Sequence, residues 1–317
     1  MTLLVVGSVA LDSVQTPFGS AEHVVGGSAT FFASSACHFA PVQLVGVVGR
    51  DYPMQKLEAL AACGVDLAGL ERVAGESFRW RGRYGHDLNS AETLETRLGV
   101  FADFRPKIPA AFRHAPYVFL ANIDPQLQLA VLDQVSSPRF VGCDTMNFWI
   151  ASRRNELLDV LRHVDLVTLN DGEARQLSEQ VNLVHAARWI LDRGPRYVVI
   201  KKGEHGAFLF SRPDRASEGN SSPDARVRIF FAPAYPLEQV FDPTGAGDAF
   251  AGGFMGHVAR TDDLSDQNLR RAVVVGSAMG SFAVEAFSNE RLLAVTADEI
   301  AARIREFYEL VTFENGR

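Results

Sequence analysis

The sequence predicts an α/β fold on a doubly wound, mainly parallel sheet, with a small antiparallel β sheet beside it. Three observations carry that expectation. Short β-branched runs alternate with stretches of helical period, the order expected of βαβ units. The runs are apolar on both faces, as strands covered by helices on each side must be. Two further segments break the rhythm with extended patterns of their own. The 317 residues are 47% hydrophobic and 22% charged, an ordinary globular composition with enough apolar side chains for a large core. A prior of about 150 residues per domain suggests two domains, although α/β folds often use this length as one.

The expected buried strands are Leu3–Val9, Val42–Val48, Tyr117–Ala121, Arg139–Cys143, Leu166–Leu169 and Tyr197–Ile200. Amphipathic stretches near 28–40, 52–63, 125–135, 153–163 and 182–193 fall between them, with Leu157, Leu158, Leu161 and Val164 at helical spacing. A final helix begins at Thr296, where Thr296-x-x-Glu299 is a capping box, and Ile300, Ile304, Phe307 and Val311 form its apolar stripe. The first break in rhythm is Leu11–Val25, two extended pieces joined around Pro17–Ser20. The second is Ser77–Tyr84, which alternates aromatics with Arg79, Arg81 and Arg83, with Ala91–Leu98 as its partner. The arginine face is either a solvated strand face or a phosphate contact. Ser211–Arg226, rich in Ser, Asp, Pro and Gly, reads as an exposed loop between strands.

Several function classes are excluded at this level. Subtracting 38 acidic from 31 basic residues gives a net charge of −7, a poor basis for nucleic-acid binding. No apolar run approaches the roughly 18 residues of a membrane span. Met1–Gly7 enters an apolar run without a basic segment and reads as a strand, not a secretory signal. Cys37, Cys63 and Cys143 are odd in number and set in apolar surroundings, so reduced, buried thiols in a soluble cytoplasmic protein are expected. The eight histidines offer no HxxxH or Cys/His zinc pattern.

The chemistry concentrates in Asp242-Pro243-Thr244-Gly245-Ala246-Gly247-Asp248, followed by a helix of small residues. Glycines there admit a ligand close to the backbone, and a helix start offers free N–H groups and a positive dipole end to an anion. Asp248 inside that first turn is either a general base toward a hydroxyl beside the anion or a charge complementing the helix terminus. There is no Gly-Lys dipeptide and hence no P-loop, no GxGxxG, no HRD or DFG triplet and no GxSxG elbow.

The Asp242–Asp248 run resembles the C-terminal signature of the PfkB (ribokinase-like) carbohydrate and nucleoside kinase family. The likeness extends over nearly the whole chain. It takes in Gly7–Asp12, Gly26-Gly27-Ser28, Gly46–Asp51, Asn170-Asp171-Gly172-Glu173 and Lys202-Gly203 ahead of Gly206, in family order. The resemblance implies a ribokinase-like, Rossmann-type core over 1–10, 26–72 and 99–317, with 11–25 and 73–98 as a β lid over the substrate site. It implies phosphoryl transfer from ATP, with Mg²⁺, to a hydroxymethyl group of a small sugar or nucleoside. Asp248 matches the catalytic base, and the amides of Gly245, Ala246 and Gly247 match the anion hole. Asn170 and Glu173 match a motif that orders Mg²⁺ and phosphates through water, although the same pair is nearly a helix capping box. Lys202, Gly203, Gly206, Thr244 and Ala278 fall on the nucleotide side, while Asp242 and Ser288 are candidates for a monovalent cation such as K⁺.

On the acceptor side the resemblance marks Asp12, Gly26, Gly27 and Ser28, and a carboxylate at 12 suits a vicinal diol. Phe31 stands where the family has a sugar-contacting asparagine. Its ring would stack on a base or a less hydroxylated ligand, which leaves nucleosides such as adenosine or cytidine and modified sugars in play, or sit in the core. Asn122 and Asp144 follow the C-terminal ends of two expected strands, the ligand-binding edge of a doubly wound sheet, and join the substrate candidates. The face of Phe78, Trp80 and Tyr84 would cover the substrate or pair with a second lid in a homodimer. A non-catalytic sensor on the same fold is the alternative. A sensor needs no base, so Asp248 beside intact glycines favours the kinase.

Overall fold

The computed structural model describes residues 1–212 and 227–312. Its strands, in chain order, begin with β1 (Leu3–Val6), β2 (Ala10–Thr16), β3 (Gly19–Gly26), β4 (Val42–Gly49), β5 (Val65–Val73), β6 (Phe78–Tyr84) and β7 (Ala91–Arg97). They continue with β8 (Tyr117–Leu120), β9 (Phe140–Asp144), β10 (Leu166–Asn170), β11 (Tyr197–Lys201), β12 (Ala207–Ser211) and β13 (Arg228–Ala232). The helices are α1 (Ser28–Ala36), α2 (Glu58–Ala62), α3 (Pro125–Leu132), α4 (Asn147–Ser152), α5 (Arg154–Leu161) and α6 (Asp171–Ser178). After them come α7 (Leu183–Leu191), α8 (Ala246–Thr261), α9 (Asp266–Ala283), α10 (Glu290–Ala294) and α11 (Ala297–Val311).

Nine strands make the main sheet in the order β13-β12-β11-β10-β9-β8-β1-β4-β5. All neighbours from β11 to β5 pair in parallel, and only β12 and β13 run against their neighbours. Strand β1 shows why the sheet is covered on both faces. Leu3 and Val5 point into one core layer with Phe32, Phe119 and Phe254, while Leu4 and Val6 point into the other with Leu120, Val160 and Leu161. All four β1 side chains are completely buried. Phe32 of α1 stacks on Phe119 of β8 with ring centroids 4.4 Å apart, so α1 is pinned over the sheet centre.

The expected strands and helices form, with physically intelligible differences. β1 stops at Val6 because the chain turns at Gly7-Ser8 toward a second sheet. β5 was not expected. It is an edge strand with alternating exposure, and its Asp66, Gly69 and Glu71 mask the apolar signal. The capping box of α11 is present, with Glu299 N–H donating to Thr296 Oγ1 at 3.2 Å and Thr296 N–H to Glu299 Oε2 at 2.8 Å. Ile300 and Phe307 of its stripe are buried, but Val311 in the last turn is exposed. Of the loop expected over Ser211–Arg226, residues 213–226 lie outside the described residues.

The second sheet has four strands in the order β3-β2-β6-β7. Its hairpins β2–β3 and β6–β7 are antiparallel, and the two hairpins join through a parallel β2–β6 pair. Two of the three arginines of β6 face ion-pair partners: Arg79 meets Asp51 at 2.6 Å and Arg83 meets Glu92 at 2.7 Å. The aromatic side divides. Phe78 stacks on Phe101 with centroids 5.4 Å apart, whereas Tyr84 reaches Thr244 in the turn before α8.

The expectation of three reduced thiols is corrected. Cys37, at the end of α1, is disulfide-bonded to Cys63, at the end of α2, across 26 residues of sequence. Only Cys143 is free and buried. Residues remote in sequence meet here, which spacing alone does not reveal, and the thiol argument for a compartment lapses with it. Among the described residues no helix is long and apolar enough to cross a membrane.

Candidate active site

The ligand-binding edge is built where β1, β8, β9, β10 and β11 end and α8 begins. At α8, Gly245 is the N-cap with a left-handed φ of 75°. A Cβ on Gly245 would lie 2.2 Å from the Phe31 ring, so close approach and backbone conformation both demand glycine. That contact accords with the core alternative for Phe31. Its ring is 2% exposed and packs with Ala249, Met279 and Phe282. A helical Phe facing a hydrophobic neighbour loses more by exposure than a ligand contact would return.

Asp248 sits in the first turn of α8 and is fully enclosed. Burial pushes its carboxyl well above the usual range, and the charges of Asp144, Asp12 and Glu173 push further in the same direction, against Lys201. Lys201, at the end of β11, donates from Nζ to Asp144 Oδ2 at 2.9 Å. Burial opposes its charge, but Asp144 and Glu173 outweigh burial and hold its pKa above the ordinary lysine value. A Cβ on Gly247 would lie 2.9 Å from the same Nζ, so the ammonium abuts the start of α8. Ala246 N–H is engaged by the Pro243 carbonyl at 3.2 Å.

Asp144 was expected on the acceptor, but its oxygens are engaged elsewhere. Oδ1 accepts from Thr145 N–H at 2.7 Å, and Oδ2 accepts from Lys201 and from Thr168 Oγ1 at 2.8 Å. It therefore belongs to the charged cluster. Asn170 and Glu173 form a full capping box for α6: Glu173 N–H donates to Asn170 Oδ1 at 2.8 Å and Asn170 N–H to Glu173 Oε2 at 2.7 Å. Burial and the neighbouring Asp144 raise the Glu173 carboxyl to about 7. The cap thus fixes a carboxyl group inside the cluster.

On the other side, Asp12 of β2 is 5% exposed and lies against Gly26, where a Cβ would come within 2.0 Å of its Oδ2. Burial and the charge of Asp242 raise its pKa to about 7, against a hydrogen bond from Gly27 N–H. Asp12 Oδ1 has no hydrogen-bond partner, and neither do Asn122 Oδ1 and Thr145 Oγ1, all buried. Gln128 of α3 gathers the ends of β8 and β9, with Nε2 donating to the Ala121 and Asp144 carbonyls at 3.0 Å each. Ser28 has a structural partner: Ser8 N–H donates to its hydroxyl at 3.2 Å, tying the end of β1 to α1, which Gly27 caps.

Thr244 joins the smaller sheet to the turn before α8. Its N–H donates to Asp242 Oδ1 at 2.9 Å and its Oγ1 to the Tyr84 hydroxyl at 3.3 Å. Burial raises Tyr84 to about 12, with Asp242, Asp12 and Asp248 adding to the shift against the Thr244 bond. Asp242 and Ser288 are neighbours through Ser288 N–H to Asp242 Oδ2 at 3.4 Å, so this loop is closed by its own hydrogen bonds. Lys202 points away, its Nζ 6.0 Å from the Phe208 ring. Gly203 and Gly206 form the turn between β11 and β12, and a Cβ on Gly203 would lie 2.4 Å from Asn89 Oδ1 in the β6–β7 connection. Ala278 is completely buried in α9. The small residues of α9 are explained by close packing on α8, where a Cβ on Gly276 would lie 2.8 Å from the Phe250 carbonyl.

Lys201 and Tyr84 are the residues that motif reasoning passed over or left unplaced. A signal for Lys201 existed: it shares strand parity with Tyr197 and Val199, which pack in the layer beneath α8, whereas Lys202 lies beyond the strand end.

With this geometry in place, the comparison with known sequences is decisive. The model for the pfkB family carbohydrate kinases matches residues 3–291. The chain belongs to the PfkB family. It is 30% identical over 272 residues to the cytidine kinase of Thermococcus kodakarensis, covering 84% of this chain and 91% of that one. PfkB-family structures share its fold. The nucleoside kinase of Methanocaldococcus jannaschii superposes with a TM-score of 0.75 at 20% identity, over 96% of this chain and 98% of that one. The aminoimidazole riboside kinase of Salmonella enterica, solved with aminoimidazole riboside and an ATP analog, gives a TM-score of 0.73 at 19% identity, over 96% and 100%.

Proposed function

We propose that this PfkB-family protein is an ATP-dependent kinase that phosphorylates a hydroxymethyl group of a ribonucleoside. The observation that carries the reading is the placement of Asp248. A buried carboxyl group opens α8 directly beside the glycine turn, with Lys201 and the Asp144–Glu173 pair on one flank and the unsatisfied Asp12 on the other. Asp12 Oδ1 and Asn122 Oδ1 are acceptors awaiting donors, and ribose hydroxyls supply them. The 30% identity to a cytidine kinase supports a nucleoside over a free sugar.

Asp248 removes the proton of the hydroxymethyl group as its oxygen attacks the γ-phosphorus and ADP leaves. The Gly245 and Gly247 amides at the positive end of α8 hold the charge that builds on the transferring group, and Lys201 adds a fixed cation there. The cluster gathers three carboxyl groups around one ammonium, an oxygen-rich donor set where a polyphosphate must arrive. That donor set fits Mg²⁺, which Glu173 and Asp144 would hold through water, the Asp144 oxygens already accepting from Thr145, Thr168 and Lys201. Bound there, the cation supplies neutralisation of the phosphate charges. The β2-β3-β6-β7 sheet acts as the lid, since Asp12 grows from it and Tyr84 and Asn89 touch the core turns at Thr244 and Gly203.

The test is Mg²⁺-dependent ATP consumption over a panel of ribonucleosides, pentoses and hexoses, with Asp248→Asn alongside. Turnover with a ribonucleoside, reduced at least about 100-fold in the variant, is expected. Ligand-dependent thermal stabilisation without turnover of any acceptor would make the protein a sensor and overturn the mechanism.

A further inference from the structure

Away from the Asp248 cluster, the sulfurs of Cys37 and Cys63 and a ring nitrogen of His38 all lie within 4.8 Å of one another. The three side chains are half-buried, so solvent reaches them. Sequence spacing gave no hint of this group, because Cys63 comes from a different helix.

The donor set is soft. Magnesium and calcium take oxygen ligands, whereas thiolate and imidazole select zinc and its thiophilic neighbours. His38 is also already oriented. Its Nε2 lies 2.6 Å from the Leu292 carbonyl oxygen of α10. A carbonyl only accepts, so Nε2 carries the ring proton and Nδ1 keeps its lone pair. A backbone carbonyl fixing the tautomer from behind is the arrangement that surrounds metal-ligating histidines.

We propose that the dithiol form of Cys37, His38 and Cys63 is a three-ligand site for one zinc-class cation, with water in the fourth position, and that the disulfide closes this site. On binding, each thiol releases its proton to solvent as its sulfur bonds the cation. On oxidation by a peroxide, the two sulfurs join, two electrons pass to the peroxide O–O bond, and two waters form. Sulfurs sharing a bond are no longer thiolate ligands, so the two states exclude each other. The site shares no residue with the phosphoryl-transfer cluster, and its test is independent of the kinase reading.

The experiment titrates Zn²⁺, and separately Co²⁺, into the full chain after reduction and anaerobic removal of the reductant. One equivalent should bind, and the Co²⁺ form should show the charge-transfer absorption of thiolate ligands. Affinity should fall at least about 100-fold in the Cys37→Ser/Cys63→Ser double variant and about 10–100-fold in His38→Gln. The peroxide-oxidised wild-type chain should bind none, and it retains the fold described should the double variant not. Absence of stoichiometric binding to the reduced chain overturns the proposal. So does undiminished binding in the oxidised chain or in the double serine variant.

Discussion

Asp12 carries one carboxyl oxygen that nothing in the fold satisfies, and a proton affinity shifted to about 7 by burial. A proton held on the free protein must leave before the group accepts two ribose hydroxyls. Acceptor affinity should therefore rise about tenfold per pH unit up to about pH 7 and level off above it. Calorimetric titration across pH reads this directly, and a flat profile in the wild-type chain would remove Asp12 from the acceptor site. The same shift has the opposite sign for the ligand-free fold. With the folded pKa above the unfolded value of 3.8, stability declines as pH rises from there to about 7 and is constant beyond. Asp12→Asn should accordingly raise the melting temperature of the free chain at pH 8 while weakening acceptor binding, the pattern of a group retained for function. Gly245→Ala makes a contrasting case. It places a Cβ into the Phe31 ring at a left-handed backbone position, and should cost roughly 2–4 kcal/mol in denaturant unfolding.

At the scale of elements, the smaller sheet meets the core through Tyr84, whose hydroxyl accepts from Thr244 beside the glycine turn. Tyr84→Phe keeps the ring and deletes that bond. A net hydrogen bond of about 0.5–1.5 kcal/mol corresponds to a loss of roughly twofold to tenfold in kcat/KM, with unfolding stability lowered by no more than that amount. Equal kinetics for the two proteins would show that the contact does not report lid closure. Elements also mark the limit of what the sequence discloses. The turn before α8, the capping boxes at Asn170 and Thr296 and the β6–β7 alternation are local patterns, and each is legible from its own residues. Lys201 was missed because its role depends on which face β11 turns to α8, a matter of strand parity and packing. Ala278 and Phe31 were drawn toward ligand roles because small or aromatic helical residues look alike at a site and in a core. Asp144 lies at the expected sheet edge, and its bond to Lys201 joins strands far apart in sequence, which spacing does not disclose.

At the scale of the molecule, the disulfide ties α1 to α2, closing a span of 26 residues. Chain-entropy reasoning for a loop of that length gives about 3.5 kcal/mol of stabilisation. Thermal unfolding in a metal-free buffer should thus occur at a visibly lower temperature after reduction, and identical melting with and without reductant would show that the crosslink contributes nothing. The two core layers on either side of β1 carry the remaining stability and connect both halves of the site.

The parallel pairing of β2 with β6 also bears on how the chain comes to be built. During synthesis the β2–β3 hairpin is complete at Gly26, yet its bonding neighbour does not begin until Phe78. At about 5–20 residues per second, the bare edge of β2 waits several seconds outside the ribosome before β6 arrives to cover it. Over that interval the nascent chain makes α1, β4, α2 and β5, so the smaller sheet is begun directly after β1 and closed only once β6 arrives.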